Sequence, residues 1–122
     1  MMGARVTSER RGCRAETLCV ILLRLKGYRN LARRLRSRVG EIDILARRRG
    51  KLVAVEVKAR ATIEAAAISV SGAQQARIVR AVARVLAQFP QFAAVPVRFD
   101  VMLVAPGRLP RHLRNAFSAD GA

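Results

Sequence analysis

At 122 residues the chain is long enough to bury a core of its own without disulfides or a structural metal. Its 24 Lys and Arg against 8 Asp and Glu give a formal net charge of +16, which disfavours acidic and neutral partners and selects polyanions, nucleic acid first. The longest apolar run, Leu18 to Leu23, falls far short of the ~20 residues of a membrane span, and no signal-peptide pattern follows it, so no membrane association is expected.

Residues 1–12 form a polar, Arg-rich stretch with nothing to bury, expected to be a flexible basic tail ahead of one domain over 13–122. From Cys13 to Lys26 the pattern is helical, with Ala15, Leu18, Cys19, Leu22, Leu23 and Leu25 apolar and Gly27 placed to end the helix in a left-handed cap. Cys13 and Cys19 project in different directions from that helix and cannot bridge, which fits reduced thiols in a cytoplasmic protein. Tyr28 to Leu35 reads as a strand whose poor alternation and many Arg place it near a sheet edge.

Two β-rich runs between Glu41 and Arg60 flank the turn signal Arg48-Arg49-Gly50-Lys51 and predict a hairpin. Pairing residues whose numbers sum to 99 sets Ile42 beside Val57, Ile44 beside Val55 and Ala46 beside Val53 on one apolar face. The same register sets Asp43 opposite Glu56 and Glu41 opposite Lys58 on the other face. Ala61 to Val70 is Ala-rich and ambiguous. Ser71, with Gln74 three residues on, looks like a capping box opening a helix that runs to about Gln88, where Pro90 prevents continuation. Val97 to Val104 alternates as a strand, and a final short helix is expected from Pro110, packing Leu113 and Phe117 back on the domain.

Like charges directly opposite on a sheet cost roughly 0.2–1 kcal/mol, so Asp43 beside Glu56 is a defect unless a cation sits between them. Two carboxylates and the carbonyl of Val57 would give Mg²⁺ the oxygen ligands it prefers, with waters completing its shell and Mn²⁺ able to substitute. Lys58, two residues beyond Glu56 on the same face, could then orient a water or stabilise charge on a phosphate. Glu16 shares a helical stripe with Cys19, Val20 and Leu23, which points to a buried, partnered carboxylate. Its partner is either the metal site or a nearby Arg.

Asp43 followed by Glu56-Val57-Lys58 resembles the D-x(n)-E-x-K signature of the PD-(D/E)xK nucleases, without the Pro of the usual name. E-x-K is expected by chance only about 0.1 times in a chain of this composition. Within that superfamily the chain resembles the YraN family over roughly residues 11–117. The resemblance rests on Glu16, Gly27-Tyr28, Gly40-Glu41-Ile42-Asp43, Val55-Glu56-Val57-Lys58-Ala59-Arg60, Gln75 and Arg98-Phe99-Asp100-Val101. It is also similar in outline to archaeal Holliday-junction resolvases. These resemblances imply a restriction-endonuclease-like α/β fold, with an α-β-β-β-α-β core, a mixed sheet and helices on both faces. They imply an active-site set of Glu16, Asp43, Glu56, Lys58 and Gln75, while Gln74 stands where many relatives carry Lys.

The expected activity is therefore Mg²⁺-dependent hydrolysis of phosphodiester bonds in duplex or branched DNA, and junction cleavage would favour a homodimer. A non-catalytic DNA- or structured-RNA-binding protein on the same fold is the alternative. Asp100 reads as structural and His112, the one histidine, as a surface residue.

Overall fold

The computed structural model describes residues 2–119, with side chains from residue 13 onward. Its elements in chain order are helix α1 (Met2–Leu25), strands β1 (Arg29–Ser37), β2 (Gly40–Arg48) and β3 (Lys51–Ala59), helices α2 (Ile63–Ile68) and α3 (Gly72–Leu86), and strands β4 (Val97–Val104) and β5 (Arg111–Phe117). The helical backbone of α1 thus starts well before Cys13. The side chains of residues 1–12 lie outside those described, and so does the expectation of a loose tail there. None of the helices among the described residues is long and apolar enough to cross a membrane.

The strands form one mixed sheet in the order β1-β2-β3-β4-β5. All neighbours are antiparallel except β3 and β4, which are parallel and need the long crossover that α2 and α3 occupy. As the alternation of its sequence suggested, β1 is an edge strand. On one face Cys19, Val20 and Leu23 of α1 pack with Tyr28, Ile44, Val53, Val55 and Met102. On the other, Ile78, Ala81, Val82 and Val85 of α3 pack with Ile42, Leu45, Leu52, Ala54 and Phe99. Helices on both faces of a mixed α/β sheet are what the resemblance implied.

Local chemistry explains the joints. Gly27 has φ +92° and ends α1, while the amides of Gly27 and Tyr28 donate to the carbonyls of Arg24 and Leu23, the paired bonds of a Schellman cap. Arg49 (φ +50°) and Gly50 (φ +77°) are both left-handed, as the two-residue type I′ turn of a twisted hairpin requires. The hydroxyl of Ser71 accepts from the Gln74 amide and opens α3.

The C-terminal segment departs from expectation. Arg111–Phe117 is the strand β5, not a helix starting at Pro110, and it pairs antiparallel with β4. A strand there supplies partners for the edge of β4 that would otherwise be open, and Phe117 stacks on Phe99 with ring centres 5.2 Å apart. Leu113 pairs with Val101 in the ladder and stays exposed.

Candidate active site

The hairpin register follows the sum of 99 from Ile44↔Val55 to Arg48↔Lys51, and then the ladder stops. Beyond it, the amide of Val57 donates to Oδ2 of Asp43 at 2.9 Å, so a side chain stands where a backbone carbonyl would be. The expected apolar face is broken at the same level. Ile44 packs towards α1 but Ile42 packs towards α3, although alternation should keep residues two apart on one face. Across β1, Arg34 falls between the pairs Arg33↔Ile44 and Leu35↔Ile42, level with Asp43, and has φ +53°. This left-handed residue accounts for the switch of faces, because it twists β1 and its partner locally. Asp43 therefore sits at a kink, with its carboxylate held towards β3.

Glu56 lies on the α3 side and is 7% exposed. Its carboxylate is 3.3 Å from the ammonium of Lys58 and accepts from Nε2 of Gln74 at 3.4 Å. The carboxyl groups of Asp43 and Glu56 are within hydrogen-bonding reach of each other. Burial pushes Glu56 up, the Asp43 charge pushes it further, and Lys58 opposes both, leaving it at about 8. Asp43 is also raised, again by burial first, with the Val57 amide working against the shift. Burial together with mutual repulsion thus disfavours having both carboxyls charged at once.

The pair opens into a cavity of about 220 Å³ walled by Gly40, Glu41, Gln74, Arg77 and Ile78. Gln74, Arg77 and Ile78 are three and four residues apart on α3, so one helical face supplies that wall. The structure thus brings Asp43, Glu56 and Lys58 together as expected, but Lys58 pairs along its own strand with Glu56 instead of across to Glu41. It does not bring Gln75 to the cavity: Gln75 closes the first turn of α3 on the Ser71 carbonyl, and its neighbour Gln74 reaches Glu56. The periodicity of α3 counted back from Ile78 reaches Gln74 and Gln75 alike, so sequence alone does not choose between them, and Arg77 carried no such signal.

Glu16 is buried on α1 beside Cys19, Val20 and Leu23. Arg34 donates to both of its oxygens at 3.1 and 3.3 Å, and Arg33 approaches to 3.8 Å. Its pKa is raised by burial, with Arg34 opposing, and Asp43 is close enough to add repulsion. Glu16 is thus held by Arg34 and Arg33.

Two carboxyls brought together in a half-buried cavity, both disfavoured as anions by burial, fit a divalent cation bound through oxygen. Asp43, Glu56 and the Val57 carbonyl would hold it. Among the described residues no three His, Cys, Asp or Glu side chains are grouped to do so. Mg²⁺ sites of one or two carboxylates with retained waters need no such group.

His112 is corrected from its expected place on the surface. Its side chain is 2% exposed, and Nε2 lies 2.7 Å from Asp100, which is fully buried. Asp100 also accepts from Arg98 and from the Asn115 amide, and has the structural role its sequence context suggested.

A mixed sheet flanked by helices, with an Asp and an E-x-K triplet meeting at a strand kink, defines an α/β protein of nuclease-like fold. The family model "Uncharacterised protein family UPF0102" matches residues 15–104. Similar proteins include a UPF0102 protein of Parvibaculum lavamentivorans, 54% identical over 88% of this chain and 81% of its own length. Another, of Nitrobacter winogradskyi, is 50% identical over 94% of this chain and 98% of its own. A third, of Rhodopseudomonas palustris, is 49% identical over 94% and 88%. The chain belongs to the UPF0102 family, the YraN family that its motifs resemble.

Proposed function

We propose that this chain is a Mg²⁺-dependent nuclease that hydrolyses phosphodiester bonds of DNA, with Mn²⁺ able to substitute. The observation that carries the reading is the Asp43–Glu56 pair, in mutual hydrogen-bonding reach with Lys58 3.3 Å from Glu56. A bound cation would relieve their repulsion and supply Lewis-acid activation of a phosphate or a water. Lys58 places a compact positive charge beside Glu56, where it can orient a water and meet charge developing on the phosphate. Gln74 steadies the Glu56 carboxylate, and Arg77 on the cavity wall is positioned for a neighbouring phosphate oxygen. Glu16, held by Arg34, adds negative charge that Asp43 feels, and acts on the site at that remove. The net charge of +16 draws the polyanion in. Four phenylalanines, one tyrosine and no tryptophan favour duplex or branched DNA over single strands read by stacking. Both cysteines are free, which supports a reducing, cytoplasmic setting.

The test is incubation with duplex, single-stranded, flapped and four-way DNA plus Mg²⁺ or Mn²⁺, with a chelator control. Chelator-sensitive nicking is expected. Preference for the four-way junction would call for a homodimer, checked by sedimentation. Tight DNA binding that weakens by about 0.9 in log K per log salt for each phosphate contacted, with no nicking on any substrate, would instead establish the non-catalytic nucleic-acid binder.

A further inference from the structure

A second cluster lies on the α1 side of the sheet, away from the carboxylate cavity on the α3 side. Lys26, Tyr28, Arg48, His112 and Arg114 line a cavity of about 420 Å³. Behind it, Arg98 and Asp100 pair at 2.7 Å, so that charge is already neutralised. The Lys26 ammonium lies 3.1 Å from Nδ1 of His112. An ammonium can only donate, so Nδ1 accepts and the opposite Nε2–H faces Asp100 as the donor. The Arg48 guanidinium sits 5.0 Å from the Tyr28 ring centre and that of Arg98 5.7 Å, two cations on one ring. Among the described residues no acid lines the cavity. Among the described residues Lys26, Arg48 and Arg114 form no ion pair.

Three cations with no acidic partner among the described residues converge on one hollow and repel one another, and Asp100 does not need them, since Arg98, His112 and the Asn115 amide already satisfy it. A bound anion removes the repulsion. A guanidinium on a ring face, a second guanidinium and an ammonium match the several oxygens of a phosphoryl group better than a single carboxylate. We propose that Lys26, Arg48 and Arg114, arranged around Tyr28 and His112, form a phosphate-binding site separate from the carboxylate cavity. The site does not depend on the nuclease reading. Its phosphate comes either from a nucleic-acid backbone or from a free phosphorylated small molecule.

The sequence itself supplies the probes, because Tyr28 is the one tyrosine, His112 the one histidine, and tryptophan is absent. The full chain, in chelator so that no cleavage enters, is titrated with inorganic phosphate, with a 5′-mononucleotide, and with a short blunt duplex lacking terminal phosphates. The readouts are the His112 imidazole NMR signals and Tyr28 fluorescence. Saturable shifts are expected. Lys26→Ala combined with Arg114→Ala, both at exposed positions, should weaken the response at least about tenfold. Arg84→Ala, on an exposed part of α3, should leave it unchanged. Shifts with the duplex identify the backbone as the source; shifts with phosphate and mononucleotide alone identify a small molecule. If no carrier moves either signal, or the double variant responds like the parent while keeping its circular dichroism, the site does not exist. A separate variant, Arg48→Gln, must weaken the same titration or the assignment of Arg48 is wrong.

Discussion

Asp43 and Asp100 make the same backbone contact with opposite electrostatic outcomes. Each accepts, at 2.9 Å, the amide of a residue on the next strand where the ladder skips, Val57 for Asp43 and Asn115 for Asp100. Asp100 is then surrounded by Arg98 and His112. Burial would raise its pKa, but the hydrogen bonds from His112, Arg98 and Asn115 outweigh it and bring it to about 2. Asp43 faces Glu56, and both are raised. One aspartate is compensated within the fold, while the other is left for something to bind.

Stability without metal should fall as pH rises. Glu56 at about 8 in the folded chain lies above its ordinary 4.5, so its contribution is complete below about pH 4.5 and is lost as pH passes 8. The slope is at most about 1.4 kcal/mol per pH unit. Melting in chelator from pH 5 to 8.5 should show a decline in the parent that is flattened in Glu56→Gln. That variant and Asp43→Asn should fold as well as the parent yet lose Mn²⁺ binding by calorimetry. Parental metal binding in both would sink the proposed site. Because the cation displaces a proton, parental affinity should rise between pH 6 and 8.

Lys58→Arg separates a generic charge from a compact ammonium. Arg keeps the charge but brings a wide planar fork. Single-turnover cleavage should drop by about 10²–10⁴-fold, with DNA affinity and melting temperature unchanged. Near-parental turnover would remove the special role of Lys58.

Gln74→Ala and Gln75→Ala test which amide belongs to the site. Gln74 touches Glu56, so its loss should reduce cleavage by about tenfold, the worth of a hydrogen bond of roughly 1.5 kcal/mol to a charged group. Gln75→Ala should be close to parental. The reverse ranking, measured under the same single-turnover conditions, would return the role to Gln75.

Asp100→Asn should damage the fold and not the chemistry directly. It removes the negative partner of Arg98 and weakens the bond that holds His112, in a setting where breaking a buried pair costs about 3–5 kcal/mol. Urea unfolding should report a loss of that order. A loss below about 1 kcal/mol would mean that the network is not what holds β5 on β4.

The pieces whose cause is local were legible in the residues themselves. Gly27 ended α1, Arg49-Gly50 closed the hairpin, Ser71 opened α3, and strict alternation in Ile44, Ala46, Val53 and Val55 chose the register that brings Asp43 and Glu56 together. E-x-K on a strand placed Lys58 beside Glu56 for the same reason, a period of two. The remaining features depended on partners distant along the chain. Arg111–Phe117 became a strand because the edge of β4 was open, and no local pattern records that edge. Ile42 left its expected face because Arg34, on another strand, takes a left-handed backbone level with Asp43. Gln74 displaced Gln75 because the rotation of α3 is set by Ile78, Ala81, Val82 and Val85 against the sheet, and that packing aims residue 74 at Glu56. His112 was drawn inside by Asp100, whose buried charge must be met by whichever donors the fold brings within reach.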